Sequence, residues 1–278
     1  MAHLEYNIQT QNSEHAEMIL ALIMPFNFEG YLQEEDTLKA YVNQNDFDAD
    51  AFEAFLKESN LSFNKSSIQH ENWNAKWESS FEPIVVPYID NPQIFACVRA
   101  NFHPMNNDAK FDLLITPKMS FGTGHHPTTF QMIQEMSVLN FENKIVLDYG
   151  TGTGVLAVLA EKLGAQKVIA IDYDVLCYDN TVENIEANHC KKIIPVLGSH
   201  CNNNNEKVDI LLANINLNVI ISELKNILEA TSQGTQILFS GILIEHKEII
   251  YKALVEHQFQ NIQIKSKDNW LVIFCVRS

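Results

Sequence analysis

The sequence predicts an α/β fold in two parts, a small domain of strands and helices followed by a larger, mostly parallel sheet. The 278-residue chain is 46% hydrophobic, which supplies enough apolar material for more than one core. The first 70 residues alternate short extended and helical runs, and strands and helices alternate regularly from Lys144 onward. Regular alternation is typical of a parallel sheet covered by helices on both faces.

The first part has the predicted order βαββαβ, which is the ferredoxin-like pattern. Its helical runs carry apolar residues on one face, as Phe52, Phe55 and Leu56 do. We therefore expect residues 1–68 to form a ferredoxin-like domain. The predicted strands are 3–9, 29–34, 37–42 and 61–68, and the predicted helices are 12–23 and 50–57.

A connector is expected over residues 69–117, and a larger domain over residues 118–278. Trp73, Trp77 and Phe81 fall on one side of a short predicted helix, where we expect them to pack between domains. Ligands of the larger domain should bind at the carboxyl ends of its parallel strands. The predicted strands are 94–100, 111–116, 145–148, 168–172, 193–197, 208–213, 236–240, 262–265 and 271–276, and the predicted helices are 154–163 and 176–188.

Charge narrows the choice of partners. The formal net charge of −16 argues against binding to phosphate backbones, because such binding depends on clustered Lys and Arg. Residues 1–60 hold twelve Asp or Glu against two Lys. Such a surface would attract a basic protein, although the carboxylates can also serve only to keep the chain soluble. We expect no direct binding of nucleic acid.

The sequence shows no secretion signal, no membrane span and no disulfide framework. No apolar run approaches the roughly 20 residues of a membrane span, and the five cysteines include no CxxC pair. We therefore expect a cytoplasmic protein with ordinary thiols and no membrane association. The pairs His189-Cys190 and His200-Cys201 lack the spacing of zinc sites, so no metal is expected.

The strongest motif is the run Asp-Tyr-Gly-Thr-Gly-Thr-Gly from Asp148 to Gly154, between an apolar strand and an apolar helix. Glycines in such a turn let the backbone bend sharply and approach a ligand closely. A nicotinamide-binding loop of the pattern GxGxxG would need glycine at Val155. The GxGxG spacing after an acid instead resembles the S-adenosylmethionine loop of the Rossmann-like methyltransferases. Asp148, Gly150 and Gly152 are therefore candidate cofactor-binding residues.

Two further strand ends carry polar candidates. Asp172 ends a predicted strand, where an acid can accept hydrogen bonds from ribose hydroxyls. A helix cap is the alternative for Asp172, but Asp174 suits that role better. Asn214 follows the strand 208–213, where an amine substrate and the methionine part of the cofactor would meet. Its side-chain oxygen can accept from the cofactor, orient the amine, or cap a helix.

The run Phe-Gly-Thr-Gly-His-His-Pro-Thr-Thr, from Phe121 to Thr129, forms a glycine-bearing loop that enters a helix near Pro127. Such a loop can fold over a ligand. Here the chain resembles the PrmA family, the bacterial methyltransferases of large-subunit ribosomal protein eleven. Further motifs of the family are matched by Trp77-x-x-x-Phe81-x-Pro83, Asn214-Ile215 and Ser240-Gly241-Ile242.

The resemblance is strong from about residue 115 to residue 250 and rests mainly on element order in the first 65 residues. It implies a Rossmann-like, seven-stranded class I methyltransferase domain behind a ferredoxin-like substrate-recognition domain, with S-adenosylmethionine as the cofactor. The family's cofactor-contacting positions fall on Thr129, Gly150, Asp172 and Asn214, and we add Phe121 of the preceding loop.

The resemblance also implies methylation of Lys side chains and of the N-terminal amine of a basic ribosomal protein, by a monomer. A free Lys, with a pKa of about 10.4, is mostly protonated at pH 7. Orientation and desolvation should therefore carry the acceleration, and we assign Asn214 as the catalytic residue that orients the nitrogen. Two alternatives stay open: methylation of another protein or a small molecule, and a non-catalytic cofactor-binding protein on the ribosome.

Overall fold

The chain forms two compact units, residues 1–80 and 81–278. The predicted helix with Trp73, Trp77 and Phe81 lies outside the described residues. In the part of the chain that is described, no helix is long and apolar enough to cross a membrane. The computed structural model describes residues 3–26, 28, 30–34, 36–43, 47–68, 82–116, 124–201 and 207–278.

The first unit has the βαββαβ order that the sequence predicts. Its elements are β1 (His3–Gln9), α1 (Ser13–Ile23), a 3₁₀ turn (Met24–Phe26), β2 (Gly30–Glu34), β3 (Thr37–Asn43), α2 (Ala49–Glu58) and β4 (Phe63–Ile68). The strands form an antiparallel sheet in the order β2-β3-β1-β4, which is the ferredoxin-like arrangement. Alternate residues of β1 (Leu4, Tyr6 and Ile8) are buried, and Phe52 of α2 meets Tyr6 edge to face.

The second unit opens with a small sheet of β5 (Ile84–Pro87), β6 (Ile94–Arg99) and β7 (Phe111–Leu114). Strand β5 pairs antiparallel with β6, and β6 pairs in parallel with β7. The sequence analysis did not predict β5, because Pro83 directly precedes this short strand and Pro87 ends it. Proline cannot donate to a strand ladder, but it is tolerated at the end of an edge strand such as this one.

The main sheet contains seven strands among the described residues, as the resemblance implies. They are β8 (Ile145–Tyr149), β9 (Lys167–Asp172), β10 (Ile193–Leu197), β11 (Val208–Asn214), β12 (Thr231–Leu243), β13 (Phe259–Lys267) and β14 (Trp270–Arg277). Their order is β10-β9-β8-β11-β12-β14-β13, with β14 antiparallel to both of its neighbours. The two residues between β13 and β14, Asp268 and Asn269, both have positive φ and make a tight hairpin turn.

Helices cover both faces of the main sheet. They are α3 (Pro127–Met136), α4 (Val155–Lys162), α5 (Val175–Ala187), α6 (Leu217–Ala230) and α7 (Lys247–Glu256), with a 3₁₀ turn (Ile244–His246) before α7. We did not predict α6 or α7, although α6 buries Leu217, Ile220, Leu224 and Ile227 at helical spacing. Strands β9 and β10 lie on one side of β8, whereas β11 and the later strands lie on its other side. Open α/β sheets bind ligands at such a point, where the strand order reverses.

Candidate functional site

The loop between β8 and α4 turns at the carboxyl edge of the sheet. Gly150 has φ +72°, and its N–H donates to the carbonyl of Ile171 over 2.8 Å. A Cβ on Gly150 would lie 2.3 Å from Cγ2 of Ile215. Both the backbone conformation and the available space therefore require glycine at this position.

Helix α5 supports this loop with polar side chains that the sequence did not single out. Oγ1 of Thr181 donates to the carbonyl of Gly152 over 2.9 Å, and Nδ2 of Asn184 donates to the carbonyl of Thr153 over 2.8 Å. Oδ1 of Asn184 also accepts the N–H of Thr116 over 2.8 Å. Thr and Asn are usually exposed, so their burial here is a property of the tertiary structure and left no sequence signal.

Asp148 lies at the base of the loop and is 1% exposed. Its Oδ2 accepts from the hydroxyl of Thr151 over 2.6 Å and from the N–H of Ala157 over 3.1 Å, while Oδ1 has no partner. Burial raises the pKa of the Asp148 carboxyl to about 7, although these two hydrogen bonds act in the opposite direction. The side chain thus holds the loop and the start of α4 together.

Asp172 ends β9, where the sequence predicts it, and faces the cavity described below. Its Oδ2 accepts the N–H of Gly152 over 2.9 Å, and its Oδ1 accepts the N–H of Asp174 over 3.1 Å. Asp174 is the N-cap of α5, as predicted, because its Oδ1 accepts the N–H of Leu176. Since an ionised carboxylate has about four lone-pair sites, Asp172 can still accept hydrogen bonds from a ligand.

Asn214 ends β11 and is joined to helix α3. Its Nδ2 donates to Oγ1 of the buried Thr129 over 3.2 Å, and its Oδ1 is buried without a partner. The capping alternative for Asn214 is wrong, because Asn216 caps α6 and accepts the N–H of Val219 over 3.0 Å. Among the described residues, none donates a hydrogen bond to the amide oxygen of Asn214.

His126 and Trp270 form an aromatic wall beside Asn214. Helix α3 begins at Pro127 as predicted, and His126 is its N-cap, with Nδ1 2.8 Å from Oγ1 of Thr128. Burial lowers the pKa of His126, which favours the neutral form of its ring. The His126 and Trp270 rings meet edge to face, with centroids 4.7 Å apart. The sequence did not mark Trp270, because it lies 144 positions after His126 and shares no local motif with it.

A cavity of about 550 Å³ lies at the carboxyl edge of the sheet. That volume is in the range of small-molecule and cofactor sites. Three of its walls come from the loop after β8, the end of β9 and the start of α6. Its lining includes His126, Tyr149, Gly150, Gly152, Asp172, Tyr173, Ser199, Asn214, Ile215, Val219, Ser222, Glu223, Gly241 and Trp270.

Two candidates from the sequence, Thr129 and Asp148, are buried and are not among the residues that line the cavity. Phe121 lies in the segment 117–123, outside the described residues. His125, next to the N-cap of α3, is exposed, and partial desolvation of its side chain lowers its pKa. Within the described ranges, no group of three or more His, Cys, Asp or Glu residues could hold a metal ion.

A parallel sheet that reverses strand addition after β8 and ends in an antiparallel β13-β14 hairpin is the architecture of the class I methyltransferases, and this chain has it. Residues 5–278 match the family model described as Ribosomal protein L11 methyltransferase (PrmA), so the chain belongs to that family. Membership implies methyl transfer from S-adenosylmethionine.

Individual relatives agree with this assignment. A Ribosomal protein L11 methyltransferase of Phocaeicola vulgatus is 31% identical over 282 residues, covering 98% of both chains. The protein of that name from Porphyromonas gingivalis is 33% identical over 268 residues, covering 92% of this chain and 89% of the relative. A crystal structure of ribosomal protein L11 methylase from Lactobacillus delbrueckii subsp. bulgaricus has a TM-score of 0.59 at 26% identity, covering 66% of this chain and 95% of that one. The similarity to the first two relatives therefore extends over both compact units.

Proposed function

We propose that this protein transfers methyl groups from S-adenosylmethionine to amino groups of ribosomal protein L11, at Lys side chains and at the N-terminal amine. The family and the names of its relatives support a substrate of this kind. The observation that carries the proposal is the buried Oδ1 of Asn214, a residue that lines the cavity; no described residue donates a hydrogen bond to this oxygen. A buried acceptor without a partner is unfavourable, so a donor N–H from the substrate amine suits this position.

The residues around the cavity fit a nucleoside-containing cofactor. Asp172 retains acceptor capacity for ribose hydroxyls, and the glycine loop brings backbone close to the cavity. Asp148 would act through the backbone of that loop, since its own hydrogen bonds go to the loop and to α4. The proposed cofactor-binding residues are Phe121, Thr129, Asp148, Gly150, Gly152, Asp172 and Asn214.

The chemistry requires a neutral amine held in line with the methyl group. When bound, S-adenosylmethionine supplies a methyl group activated by its positively charged sulfur. Asn214 would accept one N–H of the amine through Oδ1 and so orient the nitrogen, while the His126 and Trp270 rings exclude water on that side. We assign no general base, so the amine would lose its proton to water or to a nearby carbonyl. Orientation and desolvation then carry the acceleration.

Recognition of the substrate would belong to the first domain. We propose residues 1–68 as the recognition domain, residues 69–117 as a connector and residues 118–278 as the catalytic domain. The twelve acidic residues among the first 60 suit a basic ribosomal protein. On this proposal the protein works as a monomer in the cytoplasm, where its substrate is made, and recognises protein instead of nucleic acid.

The test uses the purified full-length protein, S-adenosylmethionine carrying an isotopic label on the methyl group, and unmethylated ribosomal protein L11. Mass spectrometry of the intact substrate should show labelled methyl increments, and peptide mapping should assign them to amines. The Asn214→Ala variant serves as the matched control for enzyme-dependent transfer. If S-adenosylhomocysteine bound tightly but L11 stayed unmodified, the substrate would be wrong. Other basic proteins and small amines would then be screened.

A further inference from the structure

The cavity extends well beyond the amine side, toward the edge of the sheet at β10. The strand order β10-β9-β8-β11 places Asp172 between the residues that follow β10 and those that follow β11. This inference rests on the proposed function. If the ribose lies at Asp172 and the methionine part lies toward Asn214, the purine base lies on the β10 side of Asp172. The base then points toward Ser199, which follows β10, and toward Glu223 of α6.

Glu223 presents a carboxylate at that end of the cavity, although it is only 8% exposed. Its Oε1 lies 3.1 Å from Nδ1 of His200, and its Oε2 accepts from Nδ2 of Asn226 over 3.0 Å. Among the described ion pairs, none joins Glu223 to a Lys or Arg, and its partner His200 has a side chain that is 56% exposed. These contacts hold the carboxylate of Glu223 at the wall of the cavity.

Two neighbours of Glu223, Tyr149 and Cys201, are uncharged at neutral pH. The hydroxyl of Tyr149 donates to the carbonyl of Ser199 over 2.8 Å, and burial, followed by the charge of Glu223, raises the pKa of Tyr149. The same two causes, in the same order, raise the pKa of Cys201 to about 12. Both groups therefore stay protonated at neutral pH. The Sγ of Cys201 also donates to Oε2 of Glu223 over 3.9 Å, so the remaining acceptor capacity of this carboxylate lies on Oε1.

An acceptor next to a purine distinguishes the two kinds of group at position 6 of the ring. A 6-amino group donates hydrogen bonds, whereas a 6-oxo group presents lone pairs that a carboxylate repels. We propose that Glu223 accepts a hydrogen bond from the exocyclic 6-amino group of the cofactor's purine and thereby excludes nucleosides with a 6-oxo purine. Glu223 is then a specificity-determining residue supplied by helix α6, held in place by His200 and Asn226.

The test compares two ligands by calorimetric titration of the full-length protein: S-adenosylhomocysteine and its 6-oxo counterpart S-inosylhomocysteine. The unchanged protein should prefer the adenosine compound by on the order of a hundredfold, since a site built to pair a donor discriminates strongly against an acceptor. Glu223→Gln should reduce that preference by about tenfold, because the amide N–H can face the 6-oxo group. Glu229→Gln, an equal charge change at an exposed position of the same helix, should keep the original preference.

The outcomes separate this inference from the function on which it rests. Tight binding of S-adenosylhomocysteine with the same preference in Glu223→Gln would overturn the role of Glu223 alone. Binding of neither compound by the unchanged protein would overturn the cofactor assignment as well. If Glu223→Gln does not fold, the analogue with hydrogen at position 6 decides the matter on the unchanged protein. Equal affinity for that analogue and for S-adenosylhomocysteine would contradict the proposed hydrogen bond.

Discussion

Asn214 donates a hydrogen bond from Nδ2 to Oγ1 of Thr129 over 3.2 Å, although 85 positions separate the two residues in the chain. The contact joins the end of β11 to the first turn of α3. Because Nδ2 is engaged, Oδ1 is the amide atom that stays buried and unpaired. One tertiary hydrogen bond thus fixes which atom of the Asn214 amide remains available, and on the proposed function that atom is the one that orients the amine.

Replacing Asn214 with Ala should lower turnover more than it lowers cofactor affinity. The change removes the oxygen that orients the amine, and loss of one such group lowers the rate by on the order of tenfold to a hundredfold. Thr129→Val should have a smaller effect in the same direction, because the amide remains but can rotate. Steady-state rates and calorimetric affinities for S-adenosylhomocysteine separate the two quantities. Asn101→Ala, in an exposed turn, is the control, and unchanged turnover in Asn214→Ala would refute the orienting role.

Gly150→Ala should abolish cofactor binding and lower the free energy of unfolding by roughly 2 kcal/mol or more. Backbone strain and overpacking both contribute to this loss. The added Cβ would meet Cγ2 of Ile215, so Ile215→Ala in the same chain should recover part of the stability. Gly234→Ala is a matched control, because Gly234 also has positive φ but nothing lies within 4 Å of its added Cβ. Urea unfolding measures all four proteins. Equal losses at Gly150 and Gly234 would contradict the steric argument.

Asp172→Asn should weaken binding of S-adenosylhomocysteine by roughly tenfold or more. The carboxylate accepts the N–H groups of Gly152 and Asp174, and a hydrogen bond to a charged group contributes about 1.5–3 kcal/mol. Loss of the charge weakens these contacts and the proposed pairing with ribose hydroxyls together. Asp179→Asn, at an exposed position of α5, controls for the change in net charge. Calorimetric affinity equal to that of the unchanged protein would remove Asp172 from the cofactor site.

Asp148 should make the stability of the protein fall as pH rises from about 4 to about 7. Burial raises its folded pKa from the ordinary value of 3.8 to about 7, so in this window the folded state binds more protons than the unfolded state. The contribution of this group is fully present below the unfolded pKa and is lost as pH rises through the folded pKa.

The Asp148→Asn variant cannot ionise and isolates this effect. Its free energy of unfolding relative to the unchanged protein should increase steadily over the same pH window. Urea unfolding at several pH values measures the difference, and the exposed Asp179→Asn variant should show no comparable trend. A difference that does not vary with pH would mean that folding leaves the pKa of Asp148 unchanged.

Neutralising acids of the first unit should raise KM for the protein substrate without changing cofactor affinity. Asp50→Asn combined with Glu58→Gln removes two exposed charges from α2, and the increase in KM should shrink as salt screens the attraction. Glu248→Gln combined with Glu256→Gln removes the same charge from exposed positions of α7. Methylation assays at low and high salt compare the two pairs. Equal increases in KM for the two double variants would show that the net charge of the protein matters, whereas the location of the acidic residues in the first unit does not.

Much of the fold was predictable because its signals are local. The apolar runs at 145–148 and 168–172 predict buried strands, and the structure has β8 and β9 at these positions. Strand β5 was missed because Pro83 and Pro87 mask a four-residue run that is stable only beside β6. Helices α6 and α7 were left unassigned, and the alternating order of elements sufficed for the architecture without them.

The sequence by itself determined the glycine loop, Asp172 and the acidic character of the first domain, because each depends on residues that are neighbours in the chain. Only the tertiary structure decided that Asn216 caps α6 while Asn214 lines the cavity and contacts Thr129. It alone also brought Trp270 to His126 and Glu223 to the β10 side. These contacts join distant segments, and their geometry follows from how the strands are ordered and how the helices pack on them. No spacing along the chain encodes that geometry.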